Sequence, residues 1–324
     1  MRRRDFLRKG TAAAAGLAAS NKLLDPLAKA SETSKLAPIP KRRLGKTGAD
    51  LSIIAMGGIV VMNAEQSHAN NVVAEAFDRG INYFDVAPTY GNAQSRLGPA
   101  LEPYRLRSFL ACKTNQRTKD GSAKELEESL RLLQTDHVDL YQFHGVTTKE
   151  DVETIFGPNG AMETFQAARK AGKVRFIGFS AHSVENALSM LDHYDFDTIL
   201  FPINFVLFSQ ANFGPQILAK AREKGMGILA LKGMAKTTWP EADRKNHPNP
   251  KCWYQPASLP DEAALALRWT LSQPITAAVP PGEENYFRRA MDVAQNFAPL
   301  RPEEEKTLLA RAQGVEPIFH LAKA

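Results

Sequence analysis

The sequence of 324 residues predicts an α/β fold, a single (β/α)₈ TIM barrel with an N-terminal β-hairpin and an extra C-terminal helix. Eight short apolar segments alternate with helix-like segments, which is typical of a parallel sheet covered by helices on both faces. The eight units fit within about 240 residues, a length that favours a closed barrel over an open doubly wound sheet. The segment after the first strand, M-G-G-I-V-V, also lacks the G-x-G-x-x-G spacing of an open dinucleotide-binding sheet.

The individual elements follow from apolar periodicity and from turn residues. Two short extended segments flank Gly45-Lys46-Thr47-Gly48, which predicts the hairpin. Strands are predicted over residues 53–58, 81–86, 107–113, 138–143, 174–180, 198–204, 226–231 and 275–279. Helices are predicted over residues 66–79, 94–102, 122–134, 159–171, 184–193, 213–224, 261–273 and 284–297.

The segment over residues 122–134 shows the helical pattern most clearly. Its leucines recur at i, i+4 and i+7 on one face. Ser122 is expected to cap this helix together with Glu125, three residues further on. Residues 232–260 show no periodicity and are long for a barrel loop, so we expect this loop to have a function such as covering the substrate.

The basic charge of the chain belongs to its first 30 residues. The formal net charge is +6, but residues 1–30 hold seven Lys and Arg against two Asp, while the rest carries 34 basic and 33 acidic groups. The body of the protein therefore has no charge excess that would indicate a nucleic-acid partner. With two cysteines and seven histidines that share no ligand spacing, no metal site is predicted either.

Residues 1–30 have the three parts of an export signal: basic residues, an Ala-rich apolar stretch and a small-x-small site before Ser31. The segment from Arg3 to Leu7 resembles the twin-arginine motif, which implies export of a folded protein by the twin-arginine translocation machinery. We predict a signal peptide over residues 1–30, a linker over 31–40, a barrel domain over 41–324 and a periplasmic location. No other segment predicts stable membrane insertion.

Four residues with complementary chemistry lie at or just beyond the ends of predicted strands. They are Asp85, Tyr90, Lys113 and His144. In a parallel barrel the carboxyl ends of the strands meet on one face, so these residues can share one pocket. Carbonyl reduction delivers a hydride to carbon and a proton to oxygen, and a phenol is a suitable proton donor once its pKa, ordinarily about 10, is lowered.

Each of the four has a role in such a reaction. The Lys113 ammonium is expected to pull the pKa of the Tyr90 phenol toward working pH, and Asp85 to hold Lys113 in place and charged. His144 can donate a hydrogen bond to the same carbonyl oxygen, a role for which a neutral imidazole suffices. Taken singly, a residue of each of these types more often has a structural role, such as packing, capping a turn or carrying a solvated charge, so the prediction depends on all four together.

The segments N-Y-F-D-V-A-P-T-Y-G, L-A-C-K-T and E-S-L-R-L-L-Q-T-D-H-V-D-L-Y-Q-F-H resemble the aldo-keto reductase superfamily over about residues 41–300. The resemblance implies NAD(P)H-dependent reduction of an aldehyde or ketone to an alcohol, or the reverse, with Tyr90 as general acid assisted by Lys113, Asp85 and His144. It also implies a small-molecule carbonyl substrate and a hairpin that plugs the bottom of the barrel.

The resemblance implies further residues that bind the cofactor, either NADP or NAD. The candidates are Gly57, Gly58, Asp85, Ser180, Asn204, Lys232, Pro281, Gly282, Glu283, Glu284 and Arg288. The family often has Asn after the serine that matches Ser180, where this chain has Ala181-His182, and Gln where it has Leu200.

The segment that follows the last strand resembles the family's phosphate-binding turn, which leads into a helix N-terminus. Glu283 and Glu284 stand there where the family carries cations that hold the 2′-phosphate of NADP. Arg288, one helical turn on, restores a cationic contact in one interpretation and is a surface charge in the other. The choice between NADP and NAD therefore stays open.

Two other classes of function are compatible with the same barrel. An exported nicotinamide-binding sensor or interaction module with little turnover would explain the departures at the cofactor positions. A glycoside hydrolase would need paired carboxylates at strand ends, and Asp85 has no obvious partner of that kind. The substrate pocket is expected to be apolar and to include Met62, Phe143, Phe205, Phe208 and Trp239.

Overall fold

The computed structural model describes residues 37–322, and eight of its strands form one parallel sheet that curves into a barrel. The predicted (β/α)₈ fold is therefore confirmed. The predicted signal peptide and residues 31–36 of the predicted linker lie outside the described residues. None of the helices within the described range is long and apolar enough to cross a membrane.

The strands follow the predicted order along the chain. They are β1 Lys41–Arg43, β2 Asp50–Ser52, β3 Met56–Gly57, β4 Tyr83–Asp85, β5 Phe109–Thr114, β6 Val138–Val146, β7 Val174–Ala181, β8 Thr198–Pro202, β9 Gly227–Leu231, β10 Ala235–Thr238, β11 Tyr254–Pro256 and β12 Ala277–Val279. Strands β3 to β9 and β12 form the barrel, β1 pairs with β2 in the N-terminal hairpin, and β10 pairs with β11.

The helices lie between the strands and after the last one. They are α1 Gln66–Asp78, α2 Ala93–Leu101, α3 Lys119–Leu132, α4 Lys149–Phe156, α5 Ala161–Lys170, α6 Val184–His193, α7 Phe205–Gln210, α8 Pro215–Glu223, α9 Pro260–Ser272, α10 Glu284–Gln295 and α11 Pro302–Ala312. Helix α11 is the predicted C-terminal extra helix and packs against α7 and α9.

Backbone hydrogen bonds between the first and last strands close the ring. The Ala55 amide donates to the Ala278 carbonyl at 2.9 Å, and the Ala278 amide donates to the Ile53 carbonyl at 2.9 Å. The predicted hairpin packs against the amino ends of the strands, where Leu44 and Leu51 join the apolar interior of the barrel. Gly45 has a φ of +48° there, and a Cβ on it would lie 2.3 Å from the Gly227 nitrogen.

The predicted start of the third helix was wrong by one turn. Thr118 caps α3, since its hydroxyl accepts a hydrogen bond from the Gly121 amide at 3.4 Å. Ser122 lies inside the helix and donates to the Lys119 carbonyl at 3.0 Å, while Glu125 accepts from the Asn115 amide at 2.9 Å. The extended backbone of Thr118 allows it to cap earlier than the predicted Ser122.

Two helices were not predicted. Helix α4 begins with a capping box in which Thr148 and Asp151 bind each other's backbone amides, a sequence signal that was present but overlooked. Helix α7 is capped by Asn204. The loop over residues 232–260 contains β10 and β11, and we refer to residues 235–256 as the flap.

Candidate active site

The four predicted catalytic residues line one pocket of about 210 Å³ at the carboxyl ends of the barrel strands. Strand periodicity accounts for their positions. Side chains alternate between the two faces of a strand, so Asp85 follows the inward-facing Tyr83 by two residues, and Lys113 follows the inward-facing Ala111 in the same way. On β6 the same alternation directs His144 inward.

Asp85 and Lys113 form a buried ion pair at the base of the pocket. The Lys113 ammonium donates to Asp85 Oδ1 and to the Val86 carbonyl, the latter at 3.3 Å. Burial lowers the pKa of Lys113, but the Asp85 carboxylate outweighs this effect and the net pKa is raised. Lys113 therefore remains charged, as the sequence predicts.

The second oxygen of Asp85 is held by two side chains that the sequence analysis missed. Tyr83 Oη and Gln142 Nε2 each donate to Asp85 Oδ2 at 3.2 Å. Both residues are buried, on β4 and β6, two positions before Asp85 and His144 respectively. Their spacing in the strands was the available signal, because every second residue of a barrel strand faces the interior.

Tyr90 lies in the segment between β4 and α2, with its ring against the other three groups. The Lys113 ammonium is 5.2 Å from the centre of the Tyr90 ring, and the His144 ring meets that ring edge-on with centroids 5.8 Å apart. Burial raises the pKa of Tyr90, and Lys113 offsets only part of this rise. The expected lowering of the phenol pKa is therefore wrong for this structure, because desolvation exceeds the effect of one ammonium.

His144 is an uncharged imidazole in this pocket. Burial lowers its pKa to about 3, and the positive charge of Lys113 acts in the same direction. Its Nδ1 is buried and has no hydrogen-bond partner among the residues that the structure describes. A neutral, unpaired imidazole can serve as a hydrogen-bond donor to a bound carbonyl oxygen.

The end of β6, which carries His144, is held by a further residue that the sequence analysis missed, Arg117. Its guanidinium donates to the His144 carbonyl at 2.7 Å and to Asp151 Oδ1 at 2.8 Å. The next residue, Gly145, has a φ of +60° and donates its amide to Ser180 Oγ at 2.8 Å. No periodic signal marks Arg117, since it lies in an irregular segment between β5 and α3.

The structure brings some of the predicted cofactor residues into the pocket. Those that line it are Asp85, Ser180, Lys232, Pro281 and Gly282. His182 also lines the pocket, with its ring stacked on Phe319 at 4.9 Å and its Nε2 unpartnered within the described residues. Burial lowers the pKa of His182 to about 4, so this ring is neutral as well.

Asn204 does not reach the pocket lining. Its side-chain oxygen accepts from the Leu207 amide at 2.9 Å, and its amide group donates to the Lys232 carbonyl at 3.1 Å. Both hydrogen bonds stabilise the backbone, since the first caps α7 and the second holds the residue after β9. The structure therefore shows this side chain in contact with the backbone of two neighbouring segments.

The acidic residues at the start of α10 are engaged with neighbouring groups. Glu283 accepts from the Lys251 amide at 2.5 Å, so it ties the flap to α10. Glu284 lies 2.7 Å from His68 Nε2, and Arg288 contacts both Glu284 and Glu75. The cation of Arg288 is thus surrounded by carboxylates, which favours the surface-charge interpretation of this residue.

Gly57 and Gly58 are absent from the pocket lining, whereas their neighbour Ile59 belongs to it. A Cβ on Gly58 would lie 2.6 Å from Val86 Cγ2, and one on Gly57 would lie 3.4 Å from Val279 Cγ1, an ordinary contact distance. Gly58 therefore permits the close approach of the segments that follow β3 and β4.

Comparison with known proteins identifies the family. The model of the aldo/keto reductase family matches residues 54–257, which include the four pocket residues described above. The chain belongs to the aldo/keto reductase family. Its pocket lies where parallel barrels generally place an active site, at the carboxyl ends of the strands.

Individual family members are distant relatives. The uncharacterized oxidoreductase YqkF of Bacillus subtilis is 32% identical over 156 residues, which cover 44% of this chain and 48% of YqkF. Aldo-keto reductase YhdN of the same organism is 28% identical over 276 residues, 71% of this chain and 81% of YhdN. A Bombyx mori aldo-keto reductase in complex with NADP shares the fold, with a TM-score of 0.61, 18% identity and coverage of 84% and 92%.

The residues that were expected to line the substrate pocket of this aldo/keto reductase lie outside the pocket lining. Phe143 stacks on Phe165 with centroids 3.9 Å apart in the layer between sheet and helices, and Trp239 donates to the Cys252 carbonyl at 2.8 Å. Met62, Phe205 and Phe208 also lie outside the pocket lining. Strand alternation accounts for Phe143, which faces opposite to its neighbours Gln142 and His144.

Three residues of the flap line the pocket instead, namely Lys251, Trp253 and Tyr254. Trp253 keeps 53% of its surface exposed at the rim, whereas Tyr254 is buried. The aperiodic sequence of this loop predicted a cover but not which of its residues would face the pocket. That choice depends on how β10 pairs with β11 and not on local periodicity.

Proposed function

We propose that this protein is an NAD(P)H-dependent oxidoreductase that reduces an aldehyde or ketone to an alcohol, or catalyses the reverse. The observation that carries the proposal is the meeting of Tyr90, His144 and the Asp85–Lys113 ion pair in one pocket. Membership in the aldo/keto reductase family supports this reaction class, as do the names of the two Bacillus subtilis relatives.

Each residue of the pocket has a separate role in proton transfer to the substrate. Tyr90 gives its phenolic proton to the substrate oxygen as negative charge develops there, and His144 donates a hydrogen bond to that oxygen. The Lys113 ammonium stabilises the phenolate that remains on Tyr90. Asp85 holds Lys113 charged and in place, while Tyr83 and Gln142 fix the orientation of the Asp85 carboxylate.

The pocket residues fit a nicotinamide cofactor. Pro281 and Gly282 line the pocket just before α10, a 12-residue helix whose free backbone amides can hold phosphate oxygens. Ser180 and His182 offer polar groups in the same pocket, and His182 Nε2 is buried without a hydrogen-bond partner among the described residues. A bound reduced nicotinamide supplies the hydride for the reaction.

The cofactor is NADP or NAD. The Bombyx mori relative binds NADP, which supports a cofactor of this type. The carboxylates at Glu283 and Glu284, together with the engagement of Arg288 by Glu75, favour a cofactor without a 2′-phosphate. Parallel titrations with NADPH and NADH decide the matter, and stronger binding of NADPH would contradict this preference.

The experiment that tests the reductase is single-turnover hydride transfer to a panel of aldehydes, followed by nicotinamide absorbance. We expect the Tyr90→Phe variant to lose at least about 100-fold in rate, because its ring has no proton to give. Cofactor affinity and thermal stability serve as controls, since the ring itself remains. Unchanged turnover in this variant would refute Tyr90 as the proton donor.

A second function has one observation in its favour. Ala181, followed by His182, stands where the family often has Asn, and Asn204 is engaged in capping α7, so the nicotinamide would be held by fewer amide groups. An exported nicotinamide-binding sensor or interaction module with little turnover is consistent with fewer hydrogen bonds to the nicotinamide. Tight cofactor binding without hydride transfer across a broad aldehyde panel would favour the sensor.

Export is proposed from the sequence of the leader. Residues 1–30 carry the twin-arginine type of signal, and an enzyme exported in its folded state can take its cofactor with it from the cytoplasm. The proposed location of the mature protein is the periplasm.

A further inference from the structure

Lys232 is held in the pocket by an unusual backbone conformation. It directly follows β9 and has a φ of +66°, a left-handed conformation that non-glycine residues rarely adopt. Its carbonyl accepts the hydrogen bond from Asn204 at 3.1 Å, which supports this conformation. Strained residues that neighbouring groups hold in place are concentrated at functional sites.

The ammonium of Lys232 lies between aromatic faces and has no acidic partner. Its nitrogen is 4.5 Å from the centre of the Tyr254 ring and 5.0 Å from that of the Trp253 ring. No carboxylate within residues 37–322 forms an ion pair with it, whereas Lys113 in the same pocket is paired with Asp85. Among the residues that line the pocket, Asp85 is the sole acid, so the pocket carries a surplus of positive charge.

Lys232 shares the pocket with Tyr90 and His144, the two groups that would face a reacting carbonyl oxygen. Lys251 is held by different contacts, since its ammonium donates to the Val60 carbonyl at 2.7 Å and its backbone amide donates to Glu283 at 2.5 Å. Lys251 is therefore tied to the start of α10, whereas Lys232 lies against the aromatic rings of the flap.

We propose that Lys232 binds an anionic group of the substrate, so that the enzyme acts on carbonyl compounds that carry a carboxylate. The inference rests on the proposed function and adds the substrate class to it. The exposed face of Trp253 offers a surface for the apolar part of the molecule.

The diphosphate of the cofactor is the other source of an anion in this pocket. It would belong at the α10 end, where the Pro281–Gly282 turn and Lys251 lie. If Lys232 bound the diphosphate instead, its removal would weaken the cofactor and not the substrate. The experiment therefore measures both affinities on the same variants.

The test uses two matched pairs of probes on the full chain. The substrates 4-carboxybenzaldehyde and benzaldehyde differ in one carboxylate. The ligands benzoate and benzyl alcohol are titrated calorimetrically with and without NAD or NADP, whichever binds more tightly to the wild type. We expect Lys232→Met to lower the ratio of kcat/KM for the charged over the neutral aldehyde by about tenfold or more, and to weaken benzoate by a similar factor. Lys232→Arg retains most of both, and Lys251→Met changes the ratio much less but weakens the cofactor.

Three results would overturn the proposal. The wild-type protein could show no preference for the charged aldehyde, Lys232→Met could bind benzoate as tightly as wild type, or the same variant could bind the cofactor more weakly by as large a factor as benzoate. The last result would assign Lys232 to the cofactor. Absence of turnover with both aldehydes would contradict the reductase alone, because benzoate titration reports on the anion site without catalysis.

Discussion

At the scale of single residues, burial decides the charge state of the pocket. Lys113 stays charged because it pairs with Asp85, and three further hydrogen bonds surround the pair. His144 and His182 have no such partner and are neutral. Burial favours the neutral form of all three groups, so their charge depends on whether an opposite charge lies within reach.

The low pKa of His144, about 3, predicts that its protonation does not limit the reaction between about pH 5 and pH 7. We expect the pH profile of kcat/KM to show no acid limb near pH 6.5 that depends on His144. The measurement compares wild type with His144→Gln over this range. An acid limb that vanishes in the variant would contradict a neutral imidazole.

The same shift has a consequence for stability. An unfolded histidine has a pKa of about 6.5, so below this value the unfolded chain binds a proton that the folded chain excludes at His144 until about pH 3. The contribution of His144 to the free energy of unfolding thus declines as pH falls through this window. Denaturant titrations of the wild type and of His144→Gln at several pH values measure this contribution.

Lys232 makes the preference for a charged substrate depend on pH. Burial lowers its pKa to about 8, and the nearby Cys252 thiol opposes the shift. Of the groups that face it, His144 and His182 are neutral at this pH. We expect the preference for the charged over the neutral aldehyde to fall as pH rises through about 8, when the ammonium is lost. A constant ratio of kcat/KM across this range would exclude Lys232 from substrate recognition.

At the scale of elements, side-chain contacts connect the end of β6, which carries His144, to the first turns of α3 and α4. Arg117, just before α3, donates to the His144 carbonyl, and its partner Asp151 belongs to the capping box of α4. The position of the His144 ring therefore depends on side chains that do not reach the substrate.

We predict that Arg117→Met lowers kcat about tenfold with less effect on KM, because the imidazole is oriented less well. Loss of the Arg117 charge also raises the pKa of His144 from its wild-type value of about 3, so any acid limb of the pH profile of kcat/KM that depends on His144 moves to higher pH. Arg117→Lys should recover part of the rate through one donor. The matched control is Arg175→Met, since Arg175 pairs with Asp139 at the amino end of β7.

The control variant should lose stability and keep its kcat. If Arg117→Met lost stability alone, with kcat and the pH profile as in wild type, Arg117 would be purely structural. Steady-state kinetics and thermal unfolding of the three variants separate these cases.

At the scale of the whole molecule, the pocket is built from residues of seven barrel strands, of the segments that follow them and of the flap. The residues of the pocket span positions 59 to 282 of the chain, and the closed ring of strands holds them at one end. The hairpin fills the opposite end with Leu44 and Leu51, so the interior is packed below and open above.

Export belongs to this scale too. We predict that replacing Arg3 and Arg4 by lysine retains the protein in the cytoplasm, because the twin-arginine pathway reads this pair. Cell fractionation and immunoblotting measure the distribution, and N-terminal sequencing of the exported form should begin at Ser31. An unchanged periplasmic fraction in the double variant would contradict the proposed route.

The sequence determined the fold class and the identity of the four central residues. Alternation of apolar strands and helices is a local property, and the ends of parallel strands must meet in a barrel, so Asp85, Lys113 and His144 were expected to converge. The unpredicted helix α4 was also encoded locally, in the capping box at Thr148.

Only the tertiary structure decided which side chains surround these four. Arg117, Lys251 and Trp253 lie in irregular segments, whose directions depend on contacts with distant elements and leave no periodic signal. The raised pKa of Tyr90 also emerges only on folding, since it reflects how completely the surrounding protein excludes water from the phenol. Periodicity is a property of the local sequence, whereas the burial and the charge of the pocket residues depend on which distant segments surround them.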